Sequence, residues 1–377
     1  MGKEKDKVSK TASVLHICGY AASTKGNFIR SLCALDKEIQ SRGKKTVYLF
    51  PHHIMRMPAR EWVEEMQRDG KIIYVQEEDF FKSSVQLLKI LKKHTVKTVI
   101  LHFADIKTYI MIALFARTKQ ILNFFHMMYD PRPDSKAHKL HKIIFRKSKR
   151  YILIGVSETV AEELKRNFPK HAVCAVPNGI CFDRLHRVDA DFPKEDAIAC
   201  MAMGYNVHVK GLDLTIKAVY KLREKYNIIL YVVASRGAME EKLKIMLPDC
   251  IGEKVIPDWI RILDPTENIG TYYANASLFL AASRQEGFSY AVVEAAYCKT
   301  PVIASDIPAH VEHGLKSMLT FQSENVEAYA RVLDNGIMQL SDPAYLQAVE
   351  EDARYVAKKY PIQKWVRQVA QLIETEK

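Results

Sequence analysis

The chain has 377 residues, of which 48% are hydrophobic and 27% charged, and its 56 basic and 44 acidic side chains give a net charge of +12. Those proportions are typical of a globular protein and exclude a disordered, collagen-like or small disulfide-stapled chain. The longest apolar run, Tyr109–Ala116, is much shorter than the roughly 20 residues that span a bilayer, and the polar first residues do not predict a signal peptide. The seven cysteines include no C-x-x-C pair, which predicts reduced thiols in a cytosolic protein.

The positive charge is concentrated in the first half of the chain. Residues 1–180 contain 33 basic and 17 acidic side chains, a net charge of +16, whereas residues 181–377 contain 23 and 27, a net charge of −4. This asymmetry indicates that the first half meets an anionic partner. Nucleic acid, a membrane surface and a phosphorylated substrate are all compatible with the charge alone.

The first predicted elements form a βαβ unit. A short apolar strand, Val14–Ile17, is followed by a loop of small residues that begins at Gly19. Apolar residues at helical spacing then predict a helix that ends near Gly43, a residue suited to the left-handed conformation after a helix. The next strand is Thr46–Phe50, so the opening predicts two parallel strands joined by a helix.

The same pattern starts again near the middle of the chain, with strand 197–203, loop 204–210, helix 212–223 and strand 228–234. Later strands are predicted at 260–263, 278–281 and 302–304, and the chain is predicted to be helical from Val326 onward. Two such openings predict two doubly wound α/β domains in tandem.

The domain boundaries follow from this repetition. We expect an N-terminal domain over 1–185, a second domain over 186–355, and a C-terminal helix over 356–377. The linker is predicted within Phe182–Glu195. Ligands of open parallel sheets bind at the carboxyl ends of the strands, so the loops that begin at Gly19 and Gly204 are expected to open into a cleft between the domains.

The segment 281–306, AASRQEGFSYAVVEAAYCKTPVIASD, is the most informative part of the sequence. A strand ends at Ala281, a polar loop contains Glu286, and a helix that begins near Ser289 places Glu294 in its second turn. The free N–H groups of a helix N-terminus favour a phosphate. Glu286 is then placed to reach a group attached to that phosphate, and Glu294 to accept hydrogen bonds from paired hydroxyls such as those of a ribose.

This segment resembles the donor-site signature of the retaining glycosyltransferases of family four, also called group 1 glycosyltransferases, with the pattern P/A-S-x-x-E-G-F…E-A…G-x-P-V-I-A-S. Further similar motifs are FFHMMYD (124–130), Val156-Ser157-Glu158, VPNGICFDRL (176–185) and KGLDLTIKA (210–218). The resemblance covers nearly the whole chain. It implies the GT-B fold, in which two Rossmann-like domains face each other across a cleft and C-terminal helices cross back to the first domain.

The resemblance also implies roles for individual residues. Glu286 would hold hydroxyls of the donor sugar, Glu294 would hold the nucleoside ribose, and Lys210 would neutralise the diphosphate leaving group. His126 would lie against the donor sugar near the reacting carbon, so His126, Glu286 and Lys210 are the expected catalytic residues. The expected donor-binding residues, with backbone N–H groups contributed by 288–290, are Gly19, Tyr20, Gly204, Asn206, Lys210, Leu263, Glu286, Gly287, Phe288, Ser289, Tyr290 and Glu294.

The activity implied by the resemblance is transfer of a sugar from a nucleotide sugar, a UDP- or GDP-sugar, with retention at the anomeric carbon. No cofactor and no metal are expected, because Lys210 and a helix N-terminus stabilise the developing negative charge. Three positions depart from the family pattern. The family's arginine just after the first glycine is missing, since the sequence reads Gly204-Tyr205-Asn206. The small glycine-rich turn after the next strand reads Ser235-Arg236-Gly237, and Lys299 replaces a common glycine. A non-catalytic, nucleotide-sugar-binding partner subunit is therefore an alternative to an enzyme.

The acceptor is expected to be a glycan, free or linked to a polyprenyl diphosphate, in the synthesis of a cell-surface polysaccharide. The basic stretch Lys136–Arg150 is compatible with a solvated helix and equally with a helix on anionic lipid. The predicted location is cytoplasmic, peripheral to the inner face of the cell membrane in the second case. Nucleic-acid binding is disfavoured because the basic half contains no recognition module.

Overall fold

The computed structural model describes residues 13–20, 22, 24–55, 59–129, 136–147, 150–186 and 196–375. The chain divides into two compact units, the first containing residues up to Pro177 together with Gln363–Lys377, and the second containing Asn178–Ile362. The division thus falls at Pro177 rather than at 185, and the chain returns to the first unit at Gln363 rather than at 356. The first shift has a packing cause, because buried Leu185 ends a 3₁₀ helix whose backbone lies against Gly270 of the second unit.

The first unit is an α/β unit. Its strands are β1 (Ser13–Cys18), β2 (Lys45–Phe50), β3 (Ile72–Val75), β4 (Val96–His102), β5 (Gln120–Phe125), β6 (Tyr151–Gly155) and β7 (Ala172–Ala175). Its helices are α1 (Asn27–Ser41), α2 (Ala59–Arg68), α3 (Phe80–Lys93), α4 (Ile106–Phe115), α5 (Lys136–Lys147) and α6 (Glu158–Asn167), and the last helix of the chain, named α14 below, also belongs to this unit.

All strands of the first sheet are parallel, in the order β3-β2-β1-β4-β5-β6-β7. Side chains from α1 and α2 pack on one face of the sheet, and side chains from α3 to α6 pack on the other. Because the chain leaves the sheet at β3 and re-enters it at β4 beside β1, the order reverses between β1 and β4. Ligands of doubly wound sheets bind at such a reversal.

The second unit repeats this architecture. Its strands are β8 (Ile198–Met203), β9 (Ile228–Val233), β10 (Ile260–Leu263), β11 (Leu278–Ala281), β12 (Val302–Ser305) and β13 (Leu319–Phe321). Its helices are α7 (Leu212–Leu222), α8 (Arg236–Ile251), α9 (Ile269–Asn275), α10 (Tyr290–Tyr297), α11 (Pro308–Val311), α12 (Val326–Gln339) and α13 (Pro343–Lys359), after which α14 (Ile362–Glu374) ends the described chain.

The second sheet is also wholly parallel, in the order β10-β9-β8-β11-β12-β13. Its core contains apolar side chains of α7, α8 and α12 against the strands. Fully buried leucines such as Leu243 and Leu247 each contribute about 2 kcal/mol through the removal of apolar surface from water. Here the order reverses between β8 and β11, so the loops after these two strands meet at one place.

The helix starts are explained by local hydrogen bonds. Asp79 accepts a hydrogen bond from the backbone of Lys82 at the start of α3, and Asp105 does the same at α4. Ser157 caps α6 and Asn325 caps α12 in the same way. Side-chain oxygens at this position satisfy backbone N–H groups that have no partner within the helix.

The fold prediction from the sequence is confirmed: the chain contains two Rossmann-like α/β units. Strands 260–263 and 278–281 have the predicted bounds, and Gly43 has the left-handed φ of 73° expected after α1. All seven cysteines lie in described residues and are free thiols. Within the described part of the chain, no helix combines the length and the apolar composition needed to cross a membrane. The linker beyond His186 and residues 148–149 of the basic stretch lie outside the described residues.

Candidate functional site

The strongest cluster of predicted site residues lies at the carboxyl end of the second sheet, where its order reverses. Lys210 ends the loop after β8, and Glu286 lies in the loop after β11. The ammonium Nζ of Lys210 lies 2.5 Å from Oε1 of Glu286, and each side chain is only 11% exposed. The fold therefore brings together two residues 76 positions apart that the sequence had assigned to one site.

The charged state of Lys210 is stabilised by its surroundings. Burial by itself lowers the pKa of Lys210, but the contacts with Tyr205 and Glu286 outweigh burial and raise the pKa overall. The Lys210 ammonium also lies 4.7 Å from the ring centroid of Tyr205, within the range of a cation–π contact. Lys210 is therefore held as a cation at the reversal point.

Two glycines of this site allow close packing in the second unit. Gly211 has a φ of 63°, and a Cβ atom there would lie 2.0 Å from the carbonyl oxygen of Ala282, just after β11. At Gly204 a Cβ atom would lie 2.6 Å from Val232 and 2.8 Å from the methyl of Met239. Only glycine fits such close contacts, so the glycine of the K-G motif sets the distance between the two loops.

Buried polar groups hold the loop that contains Glu286. The Ser283 hydroxyl donates to Oε1 of Glu286 over 2.9 Å, and the Ser305 hydroxyl donates to the Ser283 carbonyl oxygen over 2.6 Å. His310 lies against Ser305, with Nδ1 2.9 Å from the Ser305 carbonyl oxygen. Burial lowers the pKa of His310 to about 4, so this ring is neutral at pH 7.

Glu294 lies in α10, as the sequence predicted, and is buried. Its Oε1 accepts a hydrogen bond from Nη1 of Arg184 over 2.6 Å, and the two side chains are 6% and 7% exposed. Its Oε2 accepts from the hydroxyl of Tyr273 over 3.2 Å. The ribose role of Glu294 stays a prediction, and the structure adds two protein donors to the same carboxylate.

The other predicted donor-site residues of the second unit lie at or after the ends of β8, β10 and β11. Asn206 is exposed with a φ of 52°. Gly287, Phe288 and Ser289 are buried in the loop before α10. The N–H of Tyr290 donates to the Phe288 carbonyl oxygen over 2.9 Å, so that N–H is already engaged. Leu263 is partly buried at the end of β10, beside the end of β9.

In the first unit, the predicted residues Gly19, Tyr20 and His126 also lie near the reversal of the sheet, at β1, β4 and β5. A Cβ atom on Gly19 would lie 2.0 Å from the carbonyl oxygen of Phe103. The Phe103 ring stacks on His126 with centroids 4.0 Å apart, and Tyr20 lies 5.0 Å from Phe103. His126 also contacts His102, with 3.1 Å between Nδ1 of His102 and Nε2 of His126.

Several residues of these two clusters were not among the site residues predicted from the sequence. Arg184, Tyr273 and His310 carried no predicted role, although Arg184 lies within the recognised motif 176–185. His102 lies at the end of β4 and contacts both His126 and His16 through its ring nitrogens. A depression of about 640 Å³ beside Lys217 and Val326, on the outer side of α7, contains none of the predicted site residues.

The comparison with known families identifies the second unit. Residues 196–337 match the family model described as glycosyl transferases group 1. Over these residues the chain is therefore similar to the group 1 glycosyltransferases. The matched region includes Lys210, Glu286 and Glu294, and it confirms the resemblance stated on the sequence motifs.

Named relatives of the chain are similar over parts of their length. One subunit of the human phosphatidylinositol N-acetylglucosaminyltransferase is 24% identical over 192 residues, which are 50% of this chain and 38% of that protein. The lipopolysaccharide core biosynthesis mannosyltransferase LpcC of Rhizobium leguminosarum bv. viciae is 28% identical over 165 residues, 42% of this chain and 45% of that one. The chain thus spans less than half the length of each of these two relatives.

Solved structures match the chain over almost its full length. A glycosyltransferase from Rickettsia africae ESF-5 has a TM-score of 0.75 at 16% identity, covering 96% of this chain and 97% of that one. Anabaena Alr3699/HepE in complex with UDP-glucose has a TM-score of 0.75 at 12% identity, covering 96% and 99%. At these identities the likeness shows the fold, which is that of GT-B glycosyltransferases.

Proposed function

We propose that this chain transfers a sugar from a nucleotide sugar to an acceptor, with retention of configuration at the anomeric carbon. The observation that carries the proposal is the buried Lys210–Glu286 pair at the reversal of the second sheet, inside the region that matches the group 1 glycosyltransferases. A cation and a carboxylate side by side suit a ligand with an anionic diphosphate and a neutral sugar. The UDP-glucose complex of the Anabaena neighbour supports a nucleotide-sugar donor.

The chemistry assigned to these residues is stabilisation of the leaving group. As the bond between the anomeric carbon and the diphosphate oxygen breaks, negative charge develops on that oxygen, and the Lys210 ammonium is the preformed cation for it. Glu286 accepts hydrogen bonds from the sugar hydroxyls. The acceptor oxygen bonds to the same face of the anomeric carbon, and its proton passes to the departing phosphate oxygen. This route requires neither a protein nucleophile nor a metal.

Glu294 would bind the ribose together with its two protein donors. Oε1 of Glu294 accepts from Arg184 and Oε2 from Tyr273, so both carboxylate oxygens are held in place by the protein. The ion pair with Arg184 fixes the carboxylate before the nucleoside arrives. Fixed acceptors bind paired hydroxyls with a smaller loss of side-chain entropy.

The test is a thermal-shift screen of the full chain against UDP-, GDP-, dTDP- and CMP-sugars. A ligand present at 100 times its dissociation constant adds about 2.7 kcal/mol to the free energy of unfolding, which raises the melting temperature by several degrees. We expect one nucleotide class to do this with the wild type and to fail with Glu294→Ala. If no nucleotide sugar stabilises the wild type, or if the variant responds equally, the donor site is assigned to the wrong residues.

The second candidate function is a non-catalytic, nucleotide-sugar-binding subunit. The missing arginine just after Gly204 favours it, because one cation near the diphosphate is lost, and the human relative is named as a subunit of a transferase. The two candidates differ in turnover: both predict binding in the thermal-shift screen, but only the enzyme hydrolyses or transfers the sugar when acceptor is supplied. Asn206→Arg is expected to tighten nucleotide binding under either candidate.

We further propose that the acceptor is carried by a lipid and that the first unit lies on an anionic bilayer. Helices α3, α4 and α5 contain ten Lys and Arg residues and no Asp or Glu. Their exposed surfaces also carry apolar side chains: Phe81 is 78% exposed, Leu114 66% and Ile143 48%. Apolar side chains among lysines fit a membrane surface of anionic lipid better than nucleic acid.

Sedimentation of the full chain with vesicles tests this surface. We expect binding to vesicles of phosphatidylcholine with phosphatidylglycerol, weak binding to phosphatidylcholine alone, and weaker binding after Phe81→Ser or Leu114→Ser. Ile245→Ser is the matched control, because Ile245 is 77% exposed on α8 of the second unit. Equal binding by all variants, or none by the wild type, would contradict the proposed surface.

A further inference from the structure

Three histidines of the first unit form a row near the carboxyl ends of β1, β4 and β5. Nδ1 of His16 lies 3.3 Å from Nε2 of His102, and Nδ1 of His102 lies 3.1 Å from Nε2 of His126. The ring planes of His16 and His102 differ by 3°, and their centroids are 5.5 Å apart. The rings therefore meet edge to edge through nitrogen atoms, and each contact can hold one proton in a hydrogen bond.

All three rings are neutral at pH 7. Burial lowers the pKa of His16 to about 4 and that of His126 to about 3, and it holds the pKa of His102 well below its ordinary value. Each neutral ring carries a single proton. A row of three neutral rings with a proton in both contacts then has only two arrangements, one with every proton on Nδ1 and one with every proton on Nε2.

The surroundings of His16, at the end of the row away from His126, distinguish these two arrangements. His102 lies in β4, on one side of β1. Asp36 of α1 is ion-paired with Lys71, which directly precedes β3 on the opposite side of β1. The ring nitrogen of His16 that does not face His102 is Nε2, and both Nε2 and Oδ1 of Asp36 are buried without a hydrogen-bond partner among the described residues. The negative charge of Asp36 acts on the His16 ring. That charge stabilises an N–H bond at Nε2 and repels a lone pair there.

We propose that Asp36 and this row hold His126 in the tautomer with its proton on Nε2, so that His126 presents Nδ1 as a hydrogen-bond acceptor. His126 then donates to Nδ1 of His102, and His102 donates to Nδ1 of His16. His16 and His102 are positioning residues, since they act through His126.

Aromatic rings fix the orientation of His126 as well. Phe103 stacks on it with an angle of 13° between the planes, and the Phe28 ring meets it edge-on at 5.6 Å. Phe103 has a φ of 50°, a conformation that a bulky residue adopts only when its surroundings impose it. The ring of His126 is therefore restrained by two aromatic side chains while its tautomer is set through Nε2.

The consequence concerns the ligand group that His126 recognises. A neutral imidazole that offers a lone pair binds a hydroxyl, whereas it repels the oxygen of a phosphate, which also carries only lone pairs at pH 7. The choice of a sugar hydroxyl as that group rests on the proposed function. The proposed tautomer does not depend on that function, because the three histidines and Asp36 all lie within the first unit.

The tautomer is measured by NMR on the full chain labelled with ¹⁵N-histidine, at pH 7.5 and without ligand. Long-range ¹H–¹⁵N correlations distinguish protonated from unprotonated ring nitrogens, and His126→Gln assigns the His126 signals. We expect an unprotonated Nδ1 and a protonated Nε2 in His126 and in His102. A protonated Nδ1 in His126 would overturn the proposal.

Two replacements of His102 test whether the row sets the tautomer. Glutamine retains one donor and one acceptor, so His102→Gln is expected to leave the His126 signals in place, whereas His102→Leu is expected to give His126 averaged signals of both tautomers. His310 of the second unit is the internal control and is expected to be unchanged. If the leucine variant shows the wild-type tautomer, the row does not set it; if that variant fails to fold, Asp36→Asn, expected to shift the same signals, replaces it in the test.

Activity gives a second measurement once a donor is known. We expect His102→Leu to lower kcat about 10-fold with a smaller change in KM, as loss of an orienting partner does, and His102→Gln to restore most of kcat. Equal kcat values in the two variants would contradict the positioning role. A wild type without transferase activity would refute the proposed function and leave the NMR result valid.

Discussion

The Lys210–Glu286 pair allows a prediction about stability that can be worked from its geometry. At 2.5 Å, two unit charges attract by about 7 kcal/mol in an effective dielectric of about 20. Removing both charges from water costs several kcal/mol for each ion. The attraction and the desolvation therefore nearly cancel, and the pair as a whole contributes little to the free energy of unfolding.

Breaking the pair is a different matter from removing it. Lys210→Met leaves the Glu286 carboxylate buried and unpaired, and Glu286→Gln does the same to the Lys210 ammonium, so each is expected to cost about 3 kcal/mol. The second unit spans Asn178–Ile362, and for a domain of that size each kcal/mol corresponds to about 2–4 °C in melting temperature. We expect each single variant to melt about 6–12 °C lower and the double variant to melt close to the wild type.

Differential scanning calorimetry of the full chain measures these shifts. Lys244→Met is the control, because the Lys244–Glu241 pair is at least half exposed on both sides and exposed pairs contribute at most about 1 kcal/mol. If the two single effects simply add in the double variant, the charges are not coupled and the pairing argument fails. Nucleotide binding is expected to be lost in the double variant even where its stability is regained.

Three further predictions concern other parts of the molecule. Lys299 has a φ of 61°, a conformation that glycine adopts with less strain. Lys299→Gly is therefore expected to raise the free energy of unfolding by up to about 1 kcal/mol, and an unchanged or lower urea midpoint would contradict this. Arg184→Met is expected to cost about 3 kcal/mol by removing the buried ion pair with Glu294 and to weaken nucleotide binding, as thermal melts and calorimetric titration check. Burial lowers the pKa of His16 and His310 to about 4, so as the pH falls below 6.5 these histidines take up protons in the unfolded chain before they do so in the folded protein. The free energy of unfolding is therefore expected to fall between pH 6.5 and 4 by about 3 kcal/mol per histidine. Equal urea midpoints at pH 7.5 and 5 would refute this.

The fold was predictable because the strands are continuous apolar runs. Buried strands of parallel sheets lack the alternation of exposed strands, and runs such as Ile228–Val233 and Leu278–Ala281 stand out between loops of small and polar residues. The positions of Lys210 and Glu286 relative to these strands then follow, since both residues come after strands that flank a reversal of the sheet. The topology implied that Lys210 and Glu286 lie close together, but it did not predict their direct ion pair at 2.5 Å.

The partners of the buried site residues could not be predicted in the same way. Arg184 and Glu294 are 110 residues apart, and no periodicity connects a 3₁₀ helix with the middle of α10. His16 lies opposite Ile100 in the register of β1 and β4, yet it bonds to His102 two residues further on. That diagonal contact depends on the twist of the sheet and on ring rotamers, which the sequence does not specify.

Local strain shows where family departures are accommodated. Lys299 and Asn206 stand at positions where the family pattern differs, and both have left-handed φ values, 61° and 52°. At Lys299 the backbone keeps the conformation that a glycine would adopt freely, so the substitution changes the energy of the turn and not its course. The ion pair of Lys299 with Glu350 at 3.2 Å is half exposed and offsets little of that cost.

The uneven charge of the chain is explained by the different tasks proposed for the two units. The second unit requires few cations, because one buried lysine in low dielectric acts more strongly on a diphosphate than several solvated ones. In the first unit, lysines such as Lys82, Lys89 and Lys107 are exposed on α3 and α4, where each charge is screened by salt within about 10 Å. Charges so screened act only on a partner that comes into contact with many of them at once. A bilayer surface is such a partner, so membrane binding by this unit is expected to weaken steeply with salt, whereas nucleotide binding by the second unit is expected to change little.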